Sequence, residues 1–232
     1  MSAPSLSGIG DEATLYFTHV PKTSGTSMVR LAFGHLPDAE VERYGSLKRL
    51  AGRRAQPPKL VTGHFPWGAH LALAPRRHAY LTMLRDPIDR VTSMYYFIKN
   101  VDRRHFEHPR RALVESTTLE EFAALPQIRN LQSRFVAGYP AMKAGRLVAP
   151  RRFDRALAAV AWRQLQSYAF VGFQHRFEAS ARRLLGELGR ELPAGFADAP
   201  RAKQTRGRPK VADLSPPTRR ALEDANRADL AL

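Results

Sequence analysis

The sequence predicts an α/β fold with a mainly parallel central sheet flanked by helices. Three observations carry that prediction. Short apolar, β-branched segments alternate with segments of helical periodicity. Two of those apolar segments run directly into helix-start signals, as a strand does when it feeds a crossover helix. A hydrophobic fraction of 44%, with 9% aromatic, gives a chain of 232 residues enough material for one core of ordinary domain size. Residues 13–232 read as a single domain and residues 1–12 as a flexible N-terminus.

Residues 13–20 (ATLYFTHV) have the composition of a buried strand, which Pro21 ends. A helical pattern follows from Thr26 to about His35, with Met28, Leu31 and Ala32 on one face. Further strands are expected at 59–64 (KLVTGH) and 78–84 (HAYLTML). Arg85-Asp86-Pro87 stops the latter and opens a helix to about Asn100, with Asp86 as N-cap and Pro87 as first helical residue. Thr117 and Glu120 have capping-box spacing for a helix through Ala124. Residues 152–166 read as a helix, 168–173 (YAFVGF) as a strand, and 177–188 as a helix with its stripe at Phe177, Ala181, Leu184 and Leu188. A basic loop, 201–210, precedes a last helix opened by Ser215 and Pro216.

Composition removes several functions. With no Cys there is no disulfide scaffold, thiolate–zinc site, iron–sulfur cluster or cysteine nucleophile. No apolar run approaches the ~20 residues of a membrane span, and Met1 to Glu12 lacks the pattern of a signal peptide. A cytoplasmic, soluble protein is expected. The net charge of +16 comes from 30 Arg and seven Lys against 21 acids. An Arg-rich composition alone can produce it, and so can a partner rich in phosphate, sulfate or carboxylate, which guanidinium forks match bidentately. No aromatic–basic nucleic-acid motif accompanies the charge.

Two segments carry chemistry. Pro21-Lys22-Thr23-Ser24-Gly25-Thr26-Ser27 lies between a strand and a helix. A phosphate group wants free backbone N–H donors, hydroxyls and a compact cation, and a helix N-terminus supplies the first with a positive dipole end. The segment departs from the ATP-binding G-x-x-x-x-G-K-[ST] pattern, because its Lys precedes its single Gly. An ordinary Ser/Thr-rich turn would look similar. The second segment is Arg85-Asp86-Pro87-Ile88-Asp89-Arg90-Val91-Thr92-Ser93-Met94-Tyr95-Tyr96. Arg85 stands at a strand's carboxyl end, where ligands of open α/β sheets gather. Ser93, two turns into the next helix, can join it on one phosphate. Asp86 and Arg90, at i and i+4, read as an N-cap and its surface ion-pair partner.

PKTSGTS after a strand, followed by RDPIDRVTSMYYF, resembles the phosphosulfate-binding signatures of sulfotransferases that use 3′-phosphoadenosine-5′-phosphosulfate (PAPS). The nearest branch by this resemblance is that of heparan sulfate 2-O-sulfotransferase and its bacterial relatives. Looser likenesses run through Thr62-Gly63-His64-Phe65, Asn130–Phe135, Phe170–Phe173 and the final basic loop and helix. The resemblance implies a P-loop-like sulfotransferase fold and makes Lys22, Thr23, Ser24, Gly25, Thr26 and Ser27 contacts to the 5′-phosphosulfate. It implies Arg85 and Ser93 as the 3′-phosphate site, and Lys203, Thr205 and Arg206 as contacts from a nucleotide-covering loop. It also puts a catalytic His at His64. Imidazole suits the removal of a weakly acidic hydroxyl proton. One departure is Ser24, where the family usually has Gly; if φ is positive there, Ser costs roughly 1 kcal/mol.

The other His residues have less context. His19 is expected to point along a buried strand, and no two His fall at metal-ligand spacing, so no metal is expected. Phe65 and Trp67 suit either a sugar ring or core packing, and Arg103–Arg111 either an acidic acceptor or a solvated loop. The reading is a PAPS-dependent sulfotransferase acting on a hydroxyl, of a carbohydrate first and acidic acceptors included. His64 is the base, and Lys22 stabilises charge on the departing phosphate. A P-loop kinase would need a Lys at the far end of the Gly loop and a magnesium-holding carboxylate. A basic nucleic-acid-binding module would rest on charge alone.

Overall fold

The strand Thr14–Thr18 (β1) is covered on both faces, with Tyr16 buried on one side of the sheet and Phe17 on the other. Such a strand needs apolar or β-branched residues throughout, so it appears in the sequence as a run rather than an alternation. The computed structural model describes Leu6, residues 13–73, 77–102, 107–144, 150–194, Phe196 and residues 207–232. After β1 come the helix Gly25–Phe33 (α1), the strand Val41–Arg43 (β2), the helix Leu47–Ala51 (α2), and the strands Leu60–Gly63 (β3) and His78–Leu84 (β4). The helices Pro87–Asn100 (α3), Arg111–Glu115 (α4), Leu119–Ala124 (α5), Leu131–Ala137 (α6), Tyr139–Ala144 (α7) and Pro150–Leu165 (α8) lead to the strand Phe170–Phe173 (β5). Phe177–Glu187 (α9), Pro216–Ala225 (α10) and Arg227–Leu230 (α11) follow.

The five strands make one parallel sheet in the order β2-β3-β1-β4-β5. This is the expected architecture. On one face, Met28 and Phe33 of α1 meet Ala181 and Leu184 of α9 over Phe17, Leu81 and Met83. On the other, Val136 of α6 and Leu157 and Ala161 of α8 cover Tyr16, Val61 and Tyr80. A third cluster joins α3, α5 and α10 through Ile98, Phe122 and Leu222. The chain leaving β1 travels towards β2, and the chain leaving β4 travels towards β5 at the opposite edge. Neighbours that part in opposite directions open a crevice between their carboxyl ends, and open α/β sheets bind ligands there.

The structure corrects several local expectations. The expected strand over 168–173 begins only at Phe170, and the three-residue edge strand β2 had no signal of its own. The capping box sits one residue later, at Thr118 and Glu121: Thr118 Oγ1 accepts from Glu121 N at 3.2 Å, and Glu121 Oε2 accepts from Thr118 N at 2.8 Å. Asp86 is the N-cap of α3, accepting from Asp89 N at 2.8 Å. Arg90 is not its surface partner, because that guanidinium is fully buried beside Met94, with Nε and Nη2 unbonded. Of residues 1–12, only Leu6 is described, and it is buried in the cluster beneath α1. Among the described residues, no helix is long and apolar enough to cross a membrane.

Candidate active site

The loop after β1 turns sharply into α1. Lys22 has φ 70° and Ser24 φ 67°, both left-handed, so the position where a Gly was expected does need a positive φ and carries Ser at that cost. Thr23 is buried, and its hydroxyl donates to Val20 O at 2.8 Å, so it shapes the loop. Thr26 and Ser27 are exposed on the first turn of α1. No side chain caps that turn and no acid lies in it, so its N–H groups and positive dipole end stay available to an anion. Lys22 Nζ lies 3.9 Å from the centroid of the Phe97 ring of α3, a cation–π contact that draws the loop towards the neighbouring helix.

Arg85, at the end of β4, closes the other side of the crevice. Its Nη1 donates to Lys22 O at 2.9 Å, and its Nε donates to Asp89 Oδ2 at 2.7 Å. The two motif loops are thus in direct contact. Burial would raise the Asp89 carboxyl, but the hydrogen bond from Arg208 and the charge of Arg85 hold it below its usual range. Gln132 of α6 brackets the Arg85 backbone, accepting from its N at 2.9 Å and donating to its O at 2.8 Å. Ser93 is buried, two turns into α3. Lys203, Thr205 and Arg206 lie outside the described residues. Arg208, just beyond them, reaches Asp89 and ties the C-terminal loop to the site.

His64 follows β3 and is exposed. Its Nδ1 lies 2.7 Å from His19 O. A carbonyl only accepts, so Nδ1 carries the proton in the neutral ring and Nε2 presents a lone pair outward. His19 does not follow the strand as expected. Its ring sits 4.7 Å from that of His64, tilted by 32°. A Cβ on Gly25 would stand 2.2 Å from His19 Cδ2, so only glycine lets the ring lie against the start of α1. His64 is thereby joined, through His19, to the helix N-terminus.

The segment after His64 is pinned. Tyr80 OH accepts from Gly68 N at 3.1 Å and His70 N at 3.2 Å, leaving its own proton for His70 Nδ1 at 2.9 Å. Burial, and then the charge of His78, lower the His70 pKa to about 4. Phe65 is fully buried in the core and is not a stacking platform; Trp67 is half-buried beside it. Tyr44 and Tyr139 flank this segment and share a hydrogen bond between hydroxyls at 2.6 Å. Arg111 is also buried, donating to Lys99 O at 2.7 Å, so this end of the Arg103–Arg111 run is structural. A cavity of about 230 Å³ opens beyond Arg85 at the ends of β4 and β5, with Phe173, His175 and Asp229 in its wall. A larger, shallow depression of about 570 Å³ lies along α9 and holds none of the crevice groups.

Compared with known proteins, residues 9–232 match the model of the sulfotransferase family. The chain belongs to that family. A segment of this sulfotransferase-family chain is 33% identical over 96 residues to the protein-tyrosine sulfotransferase of Arabidopsis thaliana. That match covers 41% of the chain and 19% of the relative, so the chain spans about a fifth of the curated protein it matches.

Within this sulfotransferase-family fold, the sequence reading missed Asp89, Arg208, Gln132, His19 and the Tyr44–Tyr139 pair. Asp89 had a local signal, since it stands four residues after Arg85 on the same helix. His19 lies just before the first loop but meets His64 45 residues away, and the others meet the site through contacts distant in sequence.

Proposed function

We propose that the chain transfers the sulfuryl group of PAPS to a hydroxyl group of a carbohydrate-type acceptor. The observation that carries this reading is the convergence at one switch point of an uncapped helix start, Lys22, Arg85 and a His64 whose Nε2 lone pair faces out. PAPS supplies an activated sulfur–oxygen bond. Around it, the first turn of α1, Lys22, Thr26 and Ser27 hold the 5′-phosphosulfate, and Arg85 with Ser93 holds the 3′-phosphate. His64 Nε2 takes the acceptor proton as the acceptor oxygen bonds to sulfur, and the bridging sulfur–oxygen bond breaks in line. Lys22 and the helix N–H groups balance charge on the departing phosphate. The products are a sulfate ester and adenosine 3′,5′-bisphosphate.

A second reading takes the acceptor to be a protein tyrosine, favoured by the similarity to the Arabidopsis protein-tyrosine sulfotransferase. Labelled PAPS offered with polysaccharides, glycans, small alcohols and tyrosine peptides, followed by mass spectrometry, decides between them. Label on no acceptor would sink both. For the nucleotide site, adenosine 3′,5′-bisphosphate is expected to raise the melting temperature well above adenosine 5′-phosphate. Arg85→Ala should erase that difference.

A further inference from the structure

Lys22 is fixed at both ends. Its backbone is left-handed, with φ 70°, and its carbonyl accepts from Arg85 Nη1 at 2.9 Å. At the other end its Nζ lies 3.9 Å from the centroid of the Phe97 ring. That contact is tighter than those of Arg183 with Phe170, at 4.7 Å, and Lys99 with Tyr95, at 5.7 Å. A lysine stem has four rotatable bonds, and a side chain in solvent spreads its ammonium over many rotamers. This one is held.

Phe97 stands on α3 four residues after Ser93 and eight after Asp89, so the three share one side of the helix. Arg85, which holds the Lys22 carbonyl, is bonded to Asp89. Lys22 is thus tied near Asp89 by its backbone and near Phe97 by its ammonium, with Ser93 between the two. The ring is itself set in place. It is half-buried against the cluster that joins α3, α5 and α10, and it meets the His108 ring at 6.2 Å and 89°. His108 Nδ1 accepts from Arg110 N at 3.1 Å. Burial, and then the charges of Arg110 and Arg111, lower the His108 pKa, so the imidazole does not compete for the Phe97 ring as a cation.

We propose that Phe97 is a positioning residue for Lys22: its ring face holds the ammonium in the crevice, ready for the phosphosulfate. The inference rests on the sulfotransfer reading, in which Lys22 balances charge on the departing phosphate. A ring face engages an ammonium from one side only, and the group has three N–H donors, so ring and phosphate oxygen can share it. The contact can therefore persist with the nucleotide bound. It removes the search of a long flexible side chain. A cation already in place counts most in the transition state, where charge on the leaving oxygen is largest. Packing asks less of this position, since leucine would fill much of the same space against the cluster but offers no π face.

The test is a double-mutant cycle on the full chain: Phe97→Leu and Lys22→Ala, separately and together, with Phe97→Tyr as the variant that keeps the ring face. Phe97→Leu is expected to lower kcat about 3–30-fold, the range of a cation–π contact, with a smaller change in KM for PAPS. Phe97→Tyr should recover most of that turnover, and adding Phe97→Leu to Lys22→Ala should cost nothing further. In the ligand-free protein, NMR should find the Lys22 side-chain protons shifted upfield by the ring, and Phe97→Leu should remove that shift. An equal fractional loss of turnover in both backgrounds would make Phe97 a packing residue and overturn the proposal. Lys22 protons at ordinary shifts would overturn it as well. So would faster turnover or tighter nucleotide binding in Phe97→Leu, by showing that the ring withholds Lys22. Affinity for adenosine 3′,5′-bisphosphate over the same cycle keeps the two readings apart. Coupling there, with no label on any acceptor, would sink sulfotransfer and leave the pairing of Phe97 with Lys22 standing.

Discussion

At the scale of residues, the proposed mechanism gives His64 and Lys22 separable jobs. His64 reaches outward with Nε2 while Nδ1 is held by His19 O. His64→Ala is therefore expected to keep the nucleotide-induced melting shift and lose turnover by roughly 10²–10⁴-fold, the usual worth of a placed acid–base group. Lys22→Ala should weaken nucleotide binding and turnover together. Full activity of His64→Ala on a true acceptor would place the base elsewhere. His70 makes a different prediction, about stability. Its pKa falls from 6.5 to about 4 in the fold, so the fold favours the neutral ring. Its contribution is complete above pH 6.5 and lost as pH drops from there through 4, because the unfolded chain binds the proton first. The ring is half-exposed, so screening reduces the effect to about 1 kcal/mol. Urea unfolding at a series of pH values should show this loss, and Tyr80→Phe, which removes the proton donated to Nδ1, should alter it.

At the scale of elements, the start of α1 and the start of α6 position the site. Gly25→Ala would drive a methyl into the His19 ring and displace the carbonyl that orients His64. The expected result is a fall in turnover larger than the fall in melting temperature would explain, read by kinetics beside calorimetry. At α6, Asn130 is left-handed and offers no side-chain cap. Asp229 of α11 supplies it, accepting from Gln132 N at 3.1 Å and from Ser133 N and Oγ at 2.7 Å each. Asp229→Ala would strand buried donors and cost about 2–4 kcal/mol. Because Gln132 brackets Arg85, nucleotide affinity should fall as well. A stability loss with affinity intact would disconnect α11 from the site.

At the scale of the whole molecule, three cationic side chains and a helix start are gathered where the sheet opens. A helix N-terminus, Lys22 and Arg85 meet between β1 and β4, with Arg208 drawn in through Asp89. These groups can balance a departing phosphate without a divalent ion, so turnover in EDTA is expected to match turnover in buffer. A large loss that magnesium restores would point to kinase-like chemistry. The net charge of +16 acts more broadly, speeding the encounter with anionic partners and making that rate fall with salt.

The sequence by itself determined the architecture, because the signals that set it are local. Apolar, β-branched runs and period-3.6 patterns marked the strands and helices, and Asp86-Pro87 and Ser215-Pro216 marked the starts of α3 and α10 to the residue. Both candidate anion-binding motifs were legible for the same reason: each is a strand end joined to a helix start. Where local chemistry was short or ambiguous the reading slipped, missing the three residues of β2 and placing the capping box one residue early. Only the tertiary structure decided that Arg90 is buried, that His19 backs His64, and that Asp89 lies between Arg85 and Arg208. His19 and His64 are 45 residues apart, and Asp89 and Arg208 are 119 apart. Parallel strands that are neighbours in space are distant in sequence, so the side chains meeting at their ends leave no local pattern, and packing alone brings them together.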